Sequence, residues 1–149
     1  MKNWAWGLSL ITLTIIIHAI GIALMTLSLQ RVRIRLERAA ARFHHLLAVF
    51  IALIGAVGLL LALLHGIEAA AWATAYWWLS AAPSVEEAML YSIDSITTRG
   101  SSGIMLQEYW RMMGALEAAD GMLLFGISTA FVFSVMQACA SVFVSQRVR

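Results

Sequence analysis

A chain of 149 residues that is 62% hydrophobic and 12% charged, with mean hydropathy +0.85, carries more apolar surface than so small a globule can bury. Soluble domains run near half apolar and a quarter charged, so this composition excludes an ordinary soluble fold and makes lipid the expected solvent. A net charge of +2 does not suggest a nucleic-acid surface, and the one cysteine, Cys139, excludes an internal disulfide.

The first apolar run carries no formal charge from Asn3 to Gln30. It is longer than the ~7–15-residue core of a signal peptide and long enough for a spanning helix, which needs about 20 residues. Trp4 and Trp6 suit an interfacial anchor at its start, and His18 is its strongly polar side chain. Residues 1–30 are therefore predicted as an N-terminal transmembrane helix. Residues 31–45 follow as a basic segment, loop or short helix, with Arg31, Arg33, Arg35, Arg38 and Arg42 against Glu37. Such arginines stay on the cytoplasmic side and can attract anionic lipid headgroups at ~1 kcal/mol each.

The second run, predicted over 46–80, holds Gly55 and Gly58 and then Trp72, Tyr76, Trp77 and Trp78, read as an aromatic belt. His65 and Glu68 are three apart and share a helix face, close enough for a hydrogen bond. Pro83 breaks the helix. Ser84 then suits an N-cap, with Glu86 and Glu87 in the first turn where carboxylates complement the helix dipole. A helix from Val85 to about Thr97 is too short to span, and Gly100, Ser101, Ser102 and Gly103 end it. The last helix is predicted over 110–146, without formal charge from Gly121 to Gln146, before Arg147 and Arg149. Placing both arginine clusters inside puts the N-terminus outside and the C-terminus in the cytoplasm. The fold class is thus an all-α integral membrane protein, three transmembrane helices plus a re-entrant helix and loop at 84–104, within a pore-like module over 46–149.

The stretch PSVEEAMLYSIDSITTRG resembles the pore helix of the potassium-channel superfamily leading into its filter signature. YWRMMGALEAADGMLLFGISTAFVF resembles that family's inner helix, down to the tryptophan at its outer end. The resemblance covers about residues 44–146 and takes the form of a small bacterial pore module with an extra N-terminal helix. It implies a homotetramer in a bacterial inner membrane, with backbone carbonyls replacing water around a permeant ion. Thr97 and Thr98 match the family's two threonines and Gly100 its first glycine. Arg99 stands at the valine, Ser101 at the tyrosine, Ser102 at the second glycine and Gly103 at the aspartate. A one-residue shift instead makes Gly103 the second glycine. Either register departs from a potassium-selective filter, so weak selectivity for monovalent cations is expected.

Asp94, Arg99, Glu117 and Asp120 fall near membrane depth, where each unpaired charge costs at least ~2.5–3.5 kcal/mol. Arg99 is expected to fold back on Asp94 or to reach Glu117, in a pair that props the loop. Aimed at the axis instead, four arginines would favour anions. A third reading is a non-conducting assembly or accessory subunit. Glu117 and Asp120 share a face, and Asp120 either lines a central cavity as an acidic ring or snorkels with Glu117 to water. Gly121 and Gly126 are positions where the last helix can bend, as candidate hinges, or pack closely. A haem or metal would require His18 and His65 to meet at one depth. No phosphate loop, nucleophile–His–acid set or Cys/His metal spacing occurs, so neither catalysis nor a cofactor is expected.

Overall fold

The computed structural model describes residues 2–38, 43–100 and 103–147. Arg42, Ser101, Ser102 and Arg149 of the reading above lie outside the described residues. Among those residues all regular structure is helical: α1 (Lys2–Arg38), α2 (Phe43–Trp78), α3 (Val85–Ile96), a 3-10 turn (Glu108–Trp110) and α4 (Arg111–Arg147). Three stretches, Lys2–Val32, Leu47–Trp78 and Glu108–Ser141, are long and apolar enough to cross a membrane.

Of the two forms expected after residue 30, loop or short helix, the described part is helix, continuous with α1. It runs through the arginines to Arg38, because arginine and leucine are strong helix formers and neither glycine nor proline interrupts residues 22–38. α2 starts at Phe43 and ends where Ser80 turns left-handed at φ 54°. The Ala81 N–H there reaches back to the Tyr76 carbonyl at 2.8 Å.

α1 and α4 run parallel and α2 runs against them. Leu10 packs with Trp72 and Met113 at one end, and Met25 packs with Val57 and Val135 at the other. The α1–α4 contact therefore brings the starts of the first and last helices together, and Asn3 donates to the Tyr109 carbonyl there. α3 fills the gap between α2 and α4, its buried side formed by Ala88, Ser92, Asp94 and Ile96. Large apolar side chains such as Leu24, Leu59, Leu63, Met122 and Phe133 remain exposed along the spans, as lipid-facing positions are.

Candidate functional site

α3 begins as its sequence predicts. Ser84 is extended at φ −140°, ψ 162°, and its hydroxyl accepts the Glu87 N–H at 3.1 Å. At 12 residues the helix is ~18 Å long at ~1.5 Å per residue. Two glycines of α4 form its seat. The Tyr91 hydroxyl lies where a side chain at Gly114 would stand, and the Ile96 carbonyl lies where one at Gly121 would stand. Ser95 adds a hydrogen bond to the Gly114 carbonyl at 2.8 Å. Gly121 lies ten residues beyond Arg111, so α3 ends ~15 Å along α4 from the start of that helix. Gly121 is thus a seat for the end of α3, the close packing that a glycine allows. Gly126, the other predicted hinge, would have nothing within 4 Å of an added Cβ.

Beyond Ile96 the chain turns sharply. The Thr98 N–H bonds to the Ser95 carbonyl at 2.9 Å and the Arg99 N–H to the Asp94 carbonyl at 3.0 Å. Thr98 (φ 57°), Gly100 (φ 84°) and Gly103 (φ 95°) are all left-handed. Glycine tolerates that region, whereas a β-branched threonine is strained in it. Thr97, Thr98, Arg99, Gly100 and Gly103 are exposed on the single chain. Of the two partners predicted for Arg99 the structure selects Asp94, with Nη1 2.9 Å from Oδ1. The Asp94 side chain is 2% exposed and that of Arg99 68%. Beside the loop, Tyr91, Ser95, Thr98, Gly100, Gly114, Ala118 and Met122 line an open groove of about 350 Å³.

The other buried acids, Glu68, Glu117 and Asp120, lie elsewhere, in three polar rungs inside the chain. In the first, Glu117 accepts from the Tyr76 hydroxyl at 2.7 Å and bonds Ser92, whose hydroxyl also lies 2.8 Å from the Ala69 carbonyl. In the second, Asp120 Oδ2 accepts from Thr14 at 2.7 Å and from the Trp72 indole at 3.0 Å. In the third, His18 Nδ1 is 2.7 Å from Glu68 Oε1 and His65 Nδ1 is 3.0 Å from Glu68 Oε2. Ser128 Oγ lies 3.2 Å from His18 Nε2 and 3.1 Å from His65 Nε2.

This ladder corrects several expectations. Glu117 and Asp120 are both 0% exposed, so neither snorkels to water. Asp120 points at Thr14 and Trp72, which does not place it in an acidic ring around a shared cavity. Trp72 and Tyr76 do not belong to an aromatic belt, being wholly buried donors to the two acids, while Trp77 and Trp78 are exposed. The belt reading missed the helical period: residues 68, 72 and 76 share one face, and 77 and 78 lie off it. The same period places Thr14 with His18 on α1, and Glu117, Asp120 and Ser128 on one side of α4. Three helices each carrying such a polar stripe was the signal for the ladder.

The third rung could hold a metal ion. His18, His65 and Glu68 each offer a ligand atom within 4.8 Å of the others. The histidine rings stand 5.3 Å apart, so the pairing that a metal requires is present. Searches against protein-family models, curated proteins and solved structures return no match for this chain.

Proposed function

We propose that the chain is one subunit of a homo-oligomeric pore-loop channel, four copies gathering α3 and the 97–103 loop about a common axis in a bacterial inner membrane. On this reading α3 is re-entrant, the N-terminus lies outside and the C-terminus in the cytoplasm. The observation that carries it is the seat at Gly121. With the outer edge of a ~30 Å hydrocarbon core set at the start of α4, an α3 that ends ~15 Å along that helix would deliver its loop to about half the depth. Irregular backbone at that depth must be covered by protein or line water. One chain leaves the loop exposed, so further copies and a water-filled path would complete its surroundings.

The permeant species would be monovalent cations, weakly distinguished. The Arg99–Asp94 pair neutralises the charge that a ring of arginines would present. Glu86, Glu87 and Glu108 are exposed near the mouth, where carboxylates concentrate cations. Glu117 and Asp120 bond within the chain and are not counted in that field. The exposure of the Arg99 side chain favours one second reading, in which the guanidinium groups crowd the axis and either close it or pass anions.

Reversal potentials of reconstituted protein under potassium, sodium and chloride gradients separate these outcomes. The channel reading expects cation flux with similar potassium and sodium permeability. A chloride-driven potential lost in Arg99→Ala would establish the anion path. Silence from verified oligomers, both wild type and Arg99→Val, would leave the accessory-subunit reading.

A further inference from the structure

The third rung of the ladder has a hydrogen-bond imbalance that a cation would resolve. Glu68, His65, Ser128 and His18 form a closed ring of four contacts, from 2.7 to 3.2 Å. Two neutral imidazoles and one hydroxyl bring three hydrogens to those four contacts. One of the four, the 3.0 Å approach of His65 Nδ1 to Glu68 Oε2, is an ion-pair contact without hydrogen-bond alignment, and neither atom has another hydrogen-bond partner. Glu68 is 0% exposed, where an unpaired carboxylate oxygen is costly.

We propose that His18, His65 and Glu68 form a binding site for one divalent transition-metal cation of the zinc class, held by the two Nδ1 atoms and the Glu68 carboxylate. With the ion on both Nδ1 atoms, each Nε2 carries its hydrogen. Both then donate to Ser128 Oγ, whose two lone pairs can accept them. Ser128 so takes the part that outer partners of metal-bound histidines play, fixing the tautomer and the ring orientation. Zinc bonds of ~2.0–2.2 Å spread tetrahedral ligands to about 3.3–3.6 Å, so the 3.0 Å approach opens by about 0.3–0.6 Å and the 2.7 Å approach by about 0.6–0.9 Å.

The charge balance also fits. Asp120 lies one turn from the ring on the Thr14–His18 and Glu68–Trp72 faces, and its Oδ1 is buried without a partner. Glu68 and Asp120 together match a double positive charge formally, which an ion surrounded by lipid requires. Two imidazoles and one carboxylate suit zinc or iron(II) better than magnesium or calcium, which favour oxygen ligands. The site is set at a helix junction, with the Phe125 ring stacked on His65 at 4.3 Å. It stands apart from the loop and holds whether or not the chain conducts ions.

The test is cobalt(II) titration of the full chain, purified in detergent and stripped with chelator, followed by zinc competition and metal analysis. The expected result is one ion per chain, a visible ligand-field band that zinc abolishes, and uptake weakened at least tenfold in His65→Gln and in Glu68→Gln. Ser128→Ala is expected to weaken binding about 10–100-fold, as loss of an outer partner does. A His44→Ala/His45→Ala double variant, away from the ring in sequence, should bind as wild type. The wild-type spectrum depends on no variant folding, and each variant is read only at native elution volume and helicity. No cobalt band in wild type would overturn the proposal, since a ring closed by a proton alone takes up no metal. Undiminished uptake by both ring variants would overturn it too, as would loss of uptake in the His44/His45 variant.

Discussion

The ladder depends on individual side chains whose contacts are short and buried, and the exposed loop on the backbone conformation of single residues. Tyr76→Phe removes a 2.7 Å bond to the wholly buried Glu117, and we expect a loss of about 1–3 kcal/mol, the usual result of leaving a buried polar group unsatisfied. The check is a lowered unfolding midpoint in detergent, against no comparable change in Trp77→Phe, whose ring is 53% exposed. Thr98→Gly should act in the opposite direction, because glycine adopts φ 57° without the strain of a branched side chain. We expect about 1 kcal/mol of stabilisation from it, read as a raised midpoint. At this scale the sequence was partly legible. The Asp94–Arg99 pair follows from two charges five residues apart near a helix end. The partners of Glu117 and Asp120 did not follow, since Tyr76 and Trp72 have interfacial chemistry and only their helical phase places them inward.

The helices themselves were legible from charge-free length, and the start of α3 from Pro83 and the Ser84 cap. The extension of α1 to Arg38 was not, because a basic stretch leaving a membrane is as compatible with a loop as with a helix until its neighbours pack. Nor could the sequence separate glycine as hinge from glycine as seat, a distinction that depends on what stands opposite. That distinction gives a paired prediction. Gly121→Ala forces its Cβ onto the Ile96 carbonyl, a backbone atom that cannot rotate away. We expect a cost of about 1–3 kcal/mol, as for overpacked cores, together with altered or abolished ion flux as α3 lifts. Gly126→Ala meets open space and should raise helix stability slightly without changing flux, glycine being about 1 kcal/mol worse than alanine inside a helix. Unfolding midpoints and liposome flux on both variants check the pair. Equal behaviour of the two would remove Gly121 as the seat.

For the whole molecule, composition alone indicated a membrane protein, and three sufficiently long apolar helices are present. How many copies assemble is not written in one chain's contacts, because a subunit interface and a lipid-facing surface are both apolar and exposed in the isolated subunit. The chain therefore has two independent parts: a loop that several copies would complete, and a polar ladder that lies within each copy. A prediction at this scale follows from the ladder lying inside each chain. Asp120→Asn should weaken folding, as replacing a buried hydrogen-bonded acid does, while leaving ion selectivity unchanged in whatever protein folds, measured as the reversal potential under a sodium–potassium gradient.

The claim that several copies surround a conducting loop is tested most directly by the potential across proteoliposomes holding verified oligomers, under opposed potassium, sodium and chloride gradients. We expect a cation-driven potential with potassium and sodium nearly equal, altered by Gly121→Ala. No potential in wild type and Arg99→Val alike, or one set by chloride, would contradict it.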